Sequence, residues 1–113
     1  DETFRVFLNL GPAAKGHALI LPKDHADKLL ELSEETAGKA MVLAKKMACR
    51  MKEKLGCDGL NLVQNNGTVA GQTVSHFHLH IIPRYEGDGQ KIGWTPSEPS
   101  EEELEAVRRQ IVE

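Results

Sequence analysis

The chain has 113 residues, 40% of them hydrophobic and 27% charged, with a formal net charge of -3. This is the make-up of one ordinary globular domain, and it excludes the disordered and fibrous classes. Mild acidity without any long Lys/Arg run argues against a nucleic-acid surface, while leaving room for a phosphorylated small molecule that needs only a few local donors.

Residues 3–10, TFRVFLNL, are predicted to form a strand that Gly11-Pro12 closes with a turn. Residues 17–22, HALILP, give a second short strand halted by Pro22, and a hairpin joins the two. Asp24 is expected to cap a short helical turn through Leu30. A long helix then starts at Ser33. Glu34 and Glu35 suit the positive end of its dipole, and Lys52 and Lys54 suit the negative end. Ala37, Ala40, Met41, Ala44, Met47, Ala48, Met51 and Leu55 recur at three- and four-residue spacing, giving one apolar stripe for the core. Gly56 is its natural stop.

LNLVQN (60–65) reads as a third strand, residues 66–72 as a glycine-bearing loop, and TVSHFHLHIIPR (73–84) as a fourth strand ended by Pro83. A polar tail containing Gly87, Gly89, Gly93, Pro96 and Pro99 follows. Ser100 and Glu103 make a capping box for a last helix with Leu104, Val107 and Ile111 on one face. The order predicts a single α+β domain over 1–113, an antiparallel sheet packed against one long helix.

Cys49 and Cys57 do not make a disulfide framework, and no Cys/His cluster marks a zinc site. Cys49 is expected to be buried on the helix. There is no apolar run of membrane-spanning length and no signal peptide, so no membrane role is expected and a cytoplasmic setting is the default. The chain starts at Asp1, without methionine and within a strand-like segment, which leaves room for a missing N-terminal element.

HFHLH (76–80) places His76, His78 and His80 on alternate positions. On a strand they share one face about 7 Å apart, with Phe77, Leu79 and Ile81 on the other. Strict register beside a glycine loop argues against an accidental solvated face. Zinc binding from such a strand is conceivable, but the third histidine is a stretched ligand and nothing in the motif completes the set. The favoured reading is direct chemistry. A neutral imidazole attacks while its neighbours stabilise an anion, and phosphate is the anion best suited to the array. Asn65, Asn66, Gly67, Gly71, Gln72 and Thr73 supply donors for an anion cradle.

HFHLHII resembles the His-φ-His-φ-His-φ-φ signature of the histidine triad (HIT) family of nucleotide hydrolases and transferases. The likeness extends over residues 65–84, over KGHALILPKDH (15–25) and to the strand containing Asn9. The resemblance implies a homodimer with joined sheets. His78 would be the nucleophile that attacks the α-phosphate of a nucleoside 5'-phosphoramidate or ester, forming a nucleotidyl-histidine that water releases. His80 would bond the phosphate oxygens, His76 would hold the triad's geometry, and His17 would be the separate upstream histidine. Asn9 would meet the ribose, Phe7 and Leu10 would flank the base, Asn65 and Thr73 would line the phosphate and leaving-group side, and Gln72 is read with them as nucleotide-binding.

Plain readings stand beside these. Asn9 could cap the Gly11-Pro12 turn, Asn65 could close a strand, His17 could end the hairpin, Thr73 could be an ordinary strand residue, and Phe7 and Leu10 could be partly core. His25 lacks a match and is read as a surface residue. The resemblance requires no metal or other cofactor and favours a purine nucleotide, adenine first. The rivals are a dinucleoside polyphosphate hydrolase, a nucleotide-binding regulator with weak catalysis, and a metal-dependent hydrolase. Trp94 reaches either the site or a partner.

Overall fold

In the computed structural model, which describes residues 1–9 and 11–113, four strands form one antiparallel sheet in the order β1-β2-β4-β3. The strands are β1 (Phe4–Leu8), β2 (Ala18–Pro22), β3 (Gly59–Val63) and β4 (Leu79–Arg84). Helix α1 (Glu34–Leu55) covers one face, and α2 (Glu101–Val112) ends the chain. The α+β architecture read from the sequence is therefore the one observed.

The helix is delimited as its ends dictate. The Ser33 side chain accepts from the Thr36 amide, and Gly56 takes the left-handed conformation at φ 64° that a residue with a Cβ rarely adopts. Its inward stripe of Ala40, Ala44 and Met51 meets Phe4, Ala18, Ile20, Phe77, Leu79 and Ile81. Two alanines at the contact let the helix lie close to the sheet. Gly16, at φ 88°, serves the same end: a Cβ there would stand 2.5 Å from a Leu55 methyl and 3.3 Å from the Pro83 ring.

Some boundaries move. Residues 73–78 are not strand: β4 begins only at Leu79, because the preceding segment bonds to loops instead of to a strand. Pro83 does not end β4. It pairs with Leu60, and because Arg84 directs its carbonyl toward the Asp58 amide, Pro83 faces the other way, past the end of the β2 ladder, where no N–H is required. The turn expected from Asp24 to Leu30 is a single 3-10 turn at Leu29–Glu31, entered at Lys28, whose amide donates to Glu31. Met41 is 54% exposed, and Cys49 is exposed where burial was expected. Both lie off the inward stripe, and Cys57, just past the helix, is the buried cysteine.

Truncating Ile20, fully buried between β1 and β4, removes core volume that the neighbours cannot refill. Ile20→Ala is expected to lower unfolding stability by about 2–5 kcal/mol, read from the urea midpoint at unchanged slope.

Candidate active site

The pairing register gives the sheet two unlike faces. Ala18, Ile20, Leu79 and Ile81 face α1. The alternate positions face away, so Phe7, Leu19, His80 and Val63, which are paired in sequence across the four strands, form one row on the open face. Phe7 is 49% exposed there. His17, just before β2, points to the same side and meets His80. Leu19 was not picked out in the sequence. Only the register shows that it lies between Phe7 and His80.

An imidazole must be a donor at one nitrogen and an acceptor at the other when neutral, so hydrogen-bond partners assign the tautomers. The Ala13 amide donates to His17 Nδ1 at 3.0 Å, which leaves the proton of neutral His17 on Nε2. That Nε2–H donates to His80 Nδ1 at 2.9 Å, and the proton of neutral His80 must then sit on Nε2. The result is an N–H donor presented on the open face. Asn9 Nδ2 lies 3.5 Å from His17 Nε2, but two donors cannot bond, and Asn9 Oδ1 is instead held by the Gly11 amide at 2.9 Å. The Asn9 backbone extends the hairpin by donating to the His17 carbonyl.

His78 is fixed in the opposite sense. Its Nδ1 lies 2.8 Å from the His76 carbonyl, which can only accept, so Nδ1 carries the proton and Nε2 carries the lone pair. The His78 and His80 rings stand 4.9 Å apart, edge to face. A nucleophilic nitrogen and an N–H donor are thereby set side by side.

His76 does not join them as a third ring on a common strand face. Its Nε2–H donates to the Pro22 carbonyl at 3.0 Å, and its Nδ1 accepts from His25 Nδ1–H at 3.1 Å. His25, read from the sequence as a surface residue, is exposed but engaged with the triad. Its one sequence signal was membership of the chain's small set of histidines. Beside it the Phe77 amide donates to the Ala26 carbonyl, stitching the turn at 25–28 to the histidine segment.

Gln72 extends that stitching. It is buried, takes the Gly67 amide on Oε1 at 2.7 Å, and directs Nε2 at the carbonyls of Asp27 and Val74 and the Asp27 carboxylate. Its amide therefore shapes the loop from within. Asn65 is half-buried beside Gly71. Thr73 is exposed and lines a hollow of about 290 Å³ with Lys28, Thr68 and Ser75. Leu10 lies outside the described residues. Among the described residues no group of three or more His, Cys, Asp or Glu has the arrangement to hold a metal ion.

The α+β domain sets a lone-pair-bearing imidazole and an imidazole donor side by side. The HIT domain family matches residues 1–87. The chain is 44% identical over 107 residues to an adenosine 5'-monophosphoramidase of Schizosaccharomyces pombe, covering 93% of this chain and 77% of that protein. It is 42% identical over 111 residues to an uncharacterised HIT-like protein of Methanocaldococcus jannaschii, covering 98% and 84%. A crystal structure of a HIT family protein from Bacillus anthracis superposes with a TM-score of 0.89 at 39% identity, covering 98% and 81%. The histidine triad nucleotide-binding protein of Candida albicans gives 0.86 at 28% identity, with the same shares of the two chains covered. The chain belongs to the histidine triad family.

Burial, with the fields of His78 and His17 added, holds the His80 imidazole down to about 4 from its ordinary 6.5, and burial also lowers His17. Between about 4 and 6.5 the folded chain binds fewer protons at His80 than the unfolded chain does. The associated stability is complete above 6.5 and is lost as pH falls toward about 4. The urea midpoint is expected to decline across that window, and to decline less steeply in His80→Asn.

Proposed function

We propose that this protein is a nucleotidyl hydrolase of the phosphoramidase type, cleaving nucleoside 5'-phosphoramidates or related esters at the α-phosphate through a covalent intermediate on His78. The observation that carries this reading is the His78 Nδ1–H bond to the His76 carbonyl, which puts the lone pair on Nε2. The HIT domain and the relatives named adenosine 5'-monophosphoramidase support a nucleotide substrate, with adenine favoured.

In the first step His78 Nε2 forms a bond to phosphorus as the bond to the leaving nitrogen or oxygen breaks. The departing atom takes up a proton from solvent on the side lined by Thr73 and Ser75, and the water that attacks in the second step returns one to solvent. The ring becomes a phosphorylated imidazolium, and its Nδ1–H bond to the His76 carbonyl strengthens as that charge develops. His80 Nε2–H donates to a non-bridging phosphate oxygen, and because His80 is neutral it does so without repelling an imidazolium beside it. Water then attacks phosphorus, the P–N bond breaks, and the nucleoside monophosphate leaves with His78 restored. On this reading the base lies over Phe7 and Leu19, and the ribose lies near Asn9. No metal enters a step.

The same reading carries a homodimer. β1 and β3 are the edges of the sheet, and joining one edge to its copy extends the sheet across two chains. Its setting is cytoplasmic, in keeping with the absence, among the described residues, of any helix long and apolar enough to cross a membrane.

His78→Ala is expected to keep the fold and to lose at least about a thousandfold in kcat for an adenosine phosphoramidate. Mass spectrometry of acid-quenched wild-type enzyme is expected to find a nucleoside monophosphate adduct on His78. A modest loss, or an adduct elsewhere, moves the nucleophile, and faster cleavage of a dinucleoside polyphosphate reassigns the substrate. His25→Ala, which loosens His76 without touching substrate, is expected to lower kcat about tenfold with KM unchanged, equivalent to about 1.4 kcal/mol.

A further inference from the structure

The hollow beside Thr73 and Ser75 carries a fixed ion pair in its wall. Asp27 and Lys28 reach it from the turn at 25–28, and Thr68, Gln72, Thr73 and Ser75 from the segment that leads into the triad. Both sides are held in place. Gln72 donates to the Asp27 carbonyl at 2.7 Å, and the Leu29 amide donates to Asn66 Oδ1 at 2.7 Å. Asn66 is locked in turn by reciprocal side-chain bonds with Gln64, and the Lys28 amide donates to Glu31 at 3.1 Å. The backbone that carries Lys28 is therefore fixed before any guest arrives.

The donors and acceptors of the pair are unequally spent. Lys28 Nζ donates to Asp27 Oδ2 at 2.8 Å, and Gln72 Nε2 donates to Asp27 Oδ1 at 3.1 Å. Each carboxylate oxygen is thus engaged, whereas an ammonium has three N–H donors and Asp27 takes one of them. The bond between the two raises the Lys28 ammonium above its ordinary value and lowers the Asp27 carboxyl, so both stay charged. What remains for a guest is the rest of the ammonium and the hydroxyls of Thr68, Thr73 and Ser75, which can turn toward it. A hollow so furnished favours an anion over a cation.

Size narrows the choice of anion. The hollow holds about 290 Å³, just below the roughly 300–1,000 Å³ of sites that enclose a whole small molecule. A short acid-bearing chain fills it, and a second nucleotide does not fit inside. Position supplies the role. Ser75 directly precedes His76, whose carbonyl orients His78, and the Phe77 amide is bonded to Ala26, two residues before Lys28. The hollow flanks the nucleophile on the side away from Phe7 and Leu19.

We propose that Lys28 is a specificity-determining residue, selecting nucleoside 5'-phosphoramidates whose leaving amine carries a carboxylate. The inference rests on the phosphoramidase reading and concerns its first step alone. When the P–N bond breaks, the amine departs with its carboxylate on Lys28. The nucleotidyl-His78 left behind is the same whatever the amine was.

The test uses the adenosine 5'-phosphoramidates of glycine and of glycinamide, which differ by a carboxylate against a neutral amide. The ratio of kcat/KM, glycine over glycinamide, is expected to be about tenfold higher in wild type than in Lys28→Gln. That is the low end for a hydrogen bond to a charged group, because the Lys28 side chain is 31% exposed. Lys28→Arg is expected to keep most of the wild-type ratio. The wild-type ratio is also expected to shrink as salt is raised, a reading that needs no variant. A ratio that is the same in wild type and Lys28→Gln, or indifferent to salt, overturns selection by Lys28 while the His78 adduct stands. Cleavage of neither substrate overturns the phosphoramidase reading and this inference with it.

Discussion

A neutral imidazole has a single unprotonated nitrogen, and what binds the other nitrogen decides which one it is. In this protein a main-chain carbonyl makes that decision for His78, at 2.8 Å. A side-chain acceptor can turn away, whereas the His76 carbonyl moves only if the backbone moves. The surrounding structure therefore acts chiefly on residue 76. Pro22 and His25 hold the His76 ring, and the Phe77–Ala26 hydrogen bond holds the next peptide. The His78 tautomer rests on a loop fastened at three points.

The second imidazole is set by the reverse arrangement. A chain of donors runs from the Ala13 amide through His17 to His80 and ends in an N–H on the open face. Burial keeps both rings from charging, so the chain does not reverse near neutrality. One ring thus carries its lone pair on Nε2 and the next carries its proton there. Their proton positions differ because their partners differ, although the residues are identical in kind.

Much of the fold was legible in the sequence because its signals are local. The Ser33 and Ser100 caps, the Gly56 stop and the stripe through Ala40, Ala44 and Met51 depend on residues a few positions apart, and each is realised. The histidine segment was read less well. Alternating residues look the same whether the backbone is paired or not, and what unpairs residues 73–78 is a turn some fifty residues earlier in the chain. His25 and Leu19 were missed for that reason, since one joins the site through a loop contact and the other through strand register. Met41 and Cys49 show the limit of a periodic pattern, which marks apolar positions without saying which angle the sheet covers.

Gln72 joins the glycine loop to the turn at 25–28 by accepting from one amide and donating to two carbonyls. A glutamate of the same length has no hydrogen to donate when ionised and would crowd its oxygens against those of Asp27 and Val74. The two segments are consequently one structural part. A designer moving the histidine motif into a foreign scaffold would have to carry the distant turn with it, and homologues that remodel one segment should have remodelled the other.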